Sequence, residues 1–295
     1  MKPVTHVLPL AAGAAASPIL SRQSAPNGSC GATTGWAGFS GLKHAFVFGD
    51  SYTQTGFNFT QEPYPQPGNP LGNPSYPGWT SSNGPNWIDY LTVKYNSSLL
   101  LTYNLAYGGA TLDSDLVKPY ADTVLSVKQQ VQDEFVPGYT GSSPSAPGAP
   151  EWTGEDTLFA VWIGVNDVGN SYYNGEDATN ALYAKIFDEY SGLVDTMYQA
   201  GGRNFVFLNV PAVDRSPLIT ESGVEGAAEQ EKAAIGVWNG KVGDLAASLK
   251  GNHSDVNVWT VDANSVFEMV LDDPSSFPQT SGYTNTTGYC EAYEK

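Results

Sequence analysis

Five short runs of β-branched and aromatic residues constrain this chain more than any other feature. They are Ala45–Phe48, Leu99–Tyr103, Leu158–Ile163, Asn204–Leu208 and Val256–Val261. Each is nearly continuous in apolar content rather than alternating, the pattern of strands buried on both faces. Helix-like segments lie between and after them: Asn86–Tyr95, Val124–Phe135, Ala178–Gln199, Ala227–Leu249 and Ala263–Leu271. Strand and helix alternate, and this order predicts an α/β fold with three αβα layers. Its core is a five-stranded parallel sheet, doubly wound and flavodoxin-like. No internal repeat or composition break splits the chain. The expectation is a leader and N-terminal extension over 1–25 and a single domain over 26–295.

Two stretches fall outside this rhythm. Gln61–Pro85 holds seven prolines and four glycines, and Pro137–Pro150 is rich in Ser, Gly and Pro. Irregular segments of that length are usually functional or disordered. Tyr64, Tyr76 and Trp79 therefore either line a substrate cleft or pack their own loop.

Charge excludes some functions. Thirty acidic residues against 13 basic give −17, with no basic patch for nucleic acid or an anionic membrane. No apolar run is long enough to span a bilayer. Lys2, the apolar Val7–Ala16 and the small residues Ala14–Ser17 read as a signal peptide. Sequons at Asn27, Asn58, Asn96, Asn252 and Asn285 point the same way, to a secreted glycoprotein. Cys30 and Cys290 either pair, tying the ends of the domain together, or Cys290 pairs elsewhere. Two cysteines and three scattered histidines suggest no metal site, and no cofactor motif is present.

In an open parallel sheet, ligands bind beyond the carboxyl ends of the strands. Gly49-Asp50-Ser51-Tyr52 follows the first run, Asn104 through Ala110 the second, and Gly164-Val165-Asn166-Asp167 the third. One edge thus collects a hydroxyl, a glycine-rich turn with free N–H groups and a carboxamide. Serine acyl transfer needs a nucleophile and donors aimed at the developing oxyanion. Singly, Ser51 reads as a helix N-cap, Gly108-Gly109 as a tight turn and Asn166-Asp167 as an Asx turn. Their joint occurrence at three successive strand ends favours chemistry. Asp50 and Asp167 read as structural, holding their turns through backbone hydrogen bonds. No G-x-S-x-G elbow occurs.

FVFGDSYTQTG (46–56), NLAYGGAT (104–111) and WIGVNDVGN (162–170) resemble, in order and spacing, the first three blocks of the SGNH or GDSL hydrolases. The resemblance runs from Phe46 to the end of the chain. SNGPNWIDYL (82–91), the acidity and the sequons look most like secreted carbohydrate esterases of family sixteen, the acetylesterases. It implies Ser51 as nucleophile, with an oxyanion hole from the Ser51 and Gly109 N–H groups and the Asn166 side chain. The substrate implied is an acetyl or short acyl ester, a small molecule or an oligosaccharide, hydrolysed by a monomer without cofactor, metal, nucleic acid or membrane. Two other readings are a lipolytic enzyme of this fold acting on lysophospholipid or acylglycerol, and a non-catalytic glycan-binding homologue.

In that family the base is the histidine of a C-terminal D-x-x-H block, and no D-x-x-H occurs here. His6 belongs to the leader. His44 lies about 20 Å of extended chain before Ser51, at the wrong end of the sheet. His253 precedes the last strand, also at the wrong end, and Asp262 alone is a poor base. A base must reach the serine hydroxyl within hydrogen-bond distance. The chain ends at Lys295, where such a block is due. The expectation is a shortened form; a non-catalytic homologue or a base supplied by a partner are the other options.

Overall fold

Strands β1 (His44–Gly49), β2 (Leu101–Asn104), β3 (Thr157–Trp162), β4 (Asn204–Leu208) and β5 (Asn257–Val261) form one parallel sheet. Their order is β2-β1-β3-β4-β5. The computed structural model describes residues 36–141 and 143–290. The leader-like segment, His6, Asn27 and Cys30 lie outside the described residues.

Side chains on the strands alternate between two cores, which makes each run apolar throughout. Phe46, Phe48, Phe159, Val161, Phe205 and Phe207 point to one face. Ala45, Val47, Leu158 and Ala160 point to the other. β1 and β3, with neighbours on both sides, are buried at every position. β5 differs from expectation: its residues are half-buried to exposed, and Trp259, Thr260 and Val261 border an open groove rather than a packed helix.

The short helix α1 (Trp87–Val93) lies on the Ala45–Ala160 face. Asn86 caps it in a reciprocal box: its Oδ1 accepts from the Ile88 and Asp89 amides, and its own N–H donates to Asp89 Oδ2 at 2.9 Å. The long helices α4 (Glu176–Gln199) and α5 (Ala227–Asn252) cover the phenylalanine face. In α4, the buried Thr179, Tyr183, Ile186, Tyr190, Leu193 and Met197 recur at three- and four-residue steps, one helical stripe. Glu176 and Asp177 sit in its first turn, where the helix dipole favours acid. Helix α6 (Ala263–Asp272) follows β5.

Between β2 and β3, the predicted helix 124–135 is not uniformly α. The segment α2 comprises Val127–Gln129, a π-helical Gln130–Phe135 and Val136–Tyr139. The expected turn after β3 is a short helix, α3 (Val165–Gly169). An almost wholly apolar groove of about 750 Å³ lies on the α1 face of the sheet, bordered by Leu91, Trp162, Leu208, Trp259 and Phe267.

Candidate active site

Ser51 sits on a tight turn just past β1, and four amide side chains and one carboxylate set that turn. Gln130, fully buried in the π-helical turn, grips Gly49 at both backbone groups. Its Oε1 accepts from the Gly49 N–H at 3.0 Å and its Nε2 donates to the Gly49 carbonyl at 2.9 Å. Asp50 Oδ1 accepts from the Tyr52 amide at 2.9 Å, and the Asp50 carbonyl from Thr53 and Gln54. The Thr53 carbonyl accepts from Asn86 Nδ2 at 3.0 Å and from Asn104 Nδ2 at 2.7 Å. Gln54 ties the turn to the glycine-rich segment after β2, its Oε1 accepting from the Gly108 amide. Rigid placement of this kind is what a nucleophile requires.

Ser51, Gly109 and Asn166, each predicted from sequence, line one cavity of about 810 Å³ at the carboxyl edge of the sheet. The tight-turn reading of Gly108-Gly109 holds, the Ala110 amide donating to the Tyr107 carbonyl at 3.0 Å across the pair, but it does not exclude a role in the cavity. Ser51 caps no helix. Gly109 adopts φ 85°, and a Cβ there would stand 2.2 Å from the Tyr120 ring, so glycine is needed on both counts. Among the described residues, neither the Ser51 nor the Gly109 backbone N–H donates within the chain. Asn166 lies in the first turn of α3, and its Nδ2 donates one hydrogen to the Ala110 carbonyl at 2.8 Å. An amide nitrogen carries two hydrogens, so the second is oriented and free to donate. Three donors and a hydroxyl thus share one cavity.

Asp50 and Asp167 lie beneath this surface and are buried. Asp167 accepts from the Leu112 amide through both oxygens, at 3.0 and 3.2 Å, anchoring the segment that carries Gly109. The structural roles expected of both aspartates hold. Burial pushes Asp50 up to about 7, against the hydrogen bond from Tyr52. Burial also pushes Asp167 to about 7, with the Asp50 charge adding to it.

Both described histidines stand at the amino edge of the sheet. His44 begins β1, buried beside Asp156, and burial lowers its pKa. His253 follows α5, its ring 3.8 Å from that of Tyr198. Asp262 is engaged elsewhere: it accepts from Ser265 Oγ at 2.6 Å and Asn209 Nδ2 at 2.8 Å, and those bonds hold its pKa low.

The three loop aromatics separate. Trp79 lines the Ser51 cavity and is 71% exposed. Tyr64 packs against Gly148 of the other loop, so the two irregular segments meet there. Tyr76 is exposed and does not line the cavity. Sequence reading missed Gln54, Tyr120, Gln130 and Glu134. The last two lie four residues apart on a segment read as an ordinary helix, and nothing in their spacing announces a π turn.

The family described as GDSL-like Lipase/Acylhydrolase matches residues 46–294. An acetylesterase from Thermothelomyces thermophilus is 36% identical over 250 residues, which is 84% of this chain and 80% of that protein. An acetylesterase from Hypocrea jecorina is 27% identical over 200 residues, 64% of this chain and 54% of that protein. Among solved structures, an acetylxylan esterase from Geobacillus stearothermophilus aligns with a TM-score of 0.44 at 14% identity, covering 83% of this chain and 87% of that chain.

Proposed function

Because this chain belongs to the GDSL-like lipase and acylhydrolase family of carboxylic ester hydrolases, we propose that its site is built to cleave acetyl or other short acyl esters through Ser51 once a general base is supplied. The observation that carries this reading is the convergence of Ser51, Gly109 and Asn166 on one cavity. With a base to take the hydroxyl proton and return it to the leaving alcohol, Ser51 Oγ attacks the ester carbonyl. The tetrahedral oxyanion takes hydrogen bonds from the Ser51 and Gly109 N–H groups and the free Asn166 hydrogen. The alcohol leaves, and water releases the acid from the acyl-serine.

Two features favour a short acyl group over a long one. The apolar groove on the sheet face would suit a long chain, but it shares no lining residue with the Ser51 cavity. The similar proteins from Thermothelomyces and Hypocrea are acetylesterases. For the alcohol we favour an oligosaccharide, which the exposed rings of Trp79 and Tyr120 would stack upon. Likeness to the carbohydrate esterases of family sixteen and secretion as a glycoprotein complete the proposal. Asn96, Asn252 and Asn285 lie at or near the surface, as glycosylation requires, whereas Asn58 lines the Ser51 cavity and is left out of this proposal.

Neither described histidine is near Ser51, and the sequence has no D-x-x-H. Loss of one member of a serine hydrolase triad costs about a millionfold in turnover. The 295-residue polypeptide is therefore expected to hydrolyse p-nitrophenyl acetate at the rate of its Ser51→Ala variant, with both folded. Fast turnover by the wild type that Ser51→Ala abolishes would reveal a base among these residues. Fast turnover by both would move the site elsewhere.

A further inference from the structure

Among the described residues, Glu134 is the only acidic one lining the Ser51 cavity, and no Lys, Arg or His lines it. It lies on the π-helical turn, four residues after Gln130, whose amide is fixed on Gly49. Glu134 is half-buried, and among the described residues its carboxylate has no hydrogen bond or ion pair. Burial, with the charge of Asp133 added, pushes it up to about 7. A desolvated carboxylate without a donor is costly, and such groups call for an explanation.

Resting on the esterase reading above, we propose that Glu134 is a specificity-determining residue whose carboxylate accepts hydrogen bonds from hydroxyl groups on the alcohol half of the ester. The cavity's other walls fit the same ligand. Trp79 and Tyr120 offer exposed ring faces, 71% and 79% accessible, for the C–H face of a sugar. Among the described residues no cation lines the cavity, so an anionic headgroup would find no counter-charge beside Glu134. At about 810 Å³ it exceeds what an acetyl group alone fills, leaving space for a neutral polyol beside the reacting ester. A half-buried acceptor also discriminates, since an alcohol lacking the hydroxyl leaves it unpaired.

The test measures coupling between Glu134 and the hydroxyls. Wild type, Glu134→Gln and Glu134→Leu are titrated by calorimetry at pH 8 with monoacetylated xylobiose and with its counterpart O-methylated at the remaining hydroxyls. Wild type is expected to prefer the hydroxyl-bearing ester at least about tenfold, the weight of a charge-assisted hydrogen bond. Glu134→Leu should level the two, with Glu134→Gln between. Removing an unpaired, half-buried charge should leave the fold intact; if Glu134→Leu does not fold, Glu134→Gln carries the comparison. A preference that survives in the variants overturns the proposal. So does wild type that binds neither sugar, or that binds acetylcholine more tightly than the sugar ester. Imidazole-dependent hydrolysis of p-nitrophenyl acetate by the wild type, lost in Ser51→Ala, separates the outcomes. If it persists, only the role of Glu134 falls; if it is absent, the esterase reading itself fails.

Discussion

Gly49→Ala is expected to destabilise this protein by about 3–5 kcal/mol, a large part of the stability of an ordinary domain. Gly49 ends β1 at φ 154°, and a Cβ there would lie 2.3 Å from the Trp162 carbonyl oxygen. The obstacle is backbone of the neighbouring strand, which cannot swing aside as a side chain can. Gly49 also holds the Gln130 amide through both its backbone groups and accepts from the Tyr107 amide at 3.0 Å. Any shift that relieves the clash breaks bonds that set the Ser51 turn. Gly243→Ala is the control: Gly243 lies in α5, exposed, with open space around its missing Cβ. There alanine should be neutral or stabilising by about 0.5–1 kcal/mol, from helix propensity. Urea midpoints of the three proteins decide the matter. A Gly49→Ala midpoint within about 1 kcal/mol of wild type would mean that the edge is far looser than described.

The second large effect is on pH. Burial raises Asp50, Asp167 and Glu231 to about 7, and also the half-buried Glu134. In the unfolded chain these groups titrate near 3.8 and 4.5. Over that interval the folded protein binds more protons than the unfolded one. Their contribution is therefore complete below about pH 4 and is lost as pH rises through about 7. The net charge of −17 adds repulsion in the same direction. Asp156, Asp255 and Asp262 are shifted down, so they favour folding above their unfolded values and withdraw support only in stronger acid. His44, buried and shifted down, opposes the trend below its ordinary 6.5. One group does not outweigh four. The midpoint of thermal unfolding should be higher at pH 5 than at pH 8 by about 5–10 °C, a difference of a few kcal/mol. Asp50→Asn keeps an oxygen for the Tyr52 amide and removes the charge, so it should flatten the profile. A higher midpoint at pH 8 would contradict these assignments.

Much of this architecture was legible because burial on both faces leaves a plain mark. Phe46 and Phe48 serve one core while Ala45 and Val47 serve the other, so β1 reads as unbroken apolar sequence. That Ser51, Gly109 and Asn166 would share one cavity was legible for a related reason: in a parallel sheet, whatever follows the strands shares one edge. The strand order was not legible, since it depends on which helices cross which face. Nor was the weak burial of β5, which borders an open groove that no sequence pattern announces. Gln130 and Glu134 stayed hidden because their reach depends on a π-helical turn with the composition of any amphipathic helix. Trp79 was half-seen: its loop was recognised as irregular, but only the folded chain separates it from Tyr64 and Tyr76.

The proposed function requires that Ser51 share its cavity with working oxyanion donors and need only a base. Supplying the base from solution tests this directly. Hydrolysis of p-nitrophenyl acetate is followed with increasing imidazole, for wild type and for Ser51→Ala in parallel, which removes the reaction of imidazole itself. The expected result is a wild-type rate that climbs at least about tenfold above the Ser51→Ala rate. Identical curves for the two proteins would contradict the account.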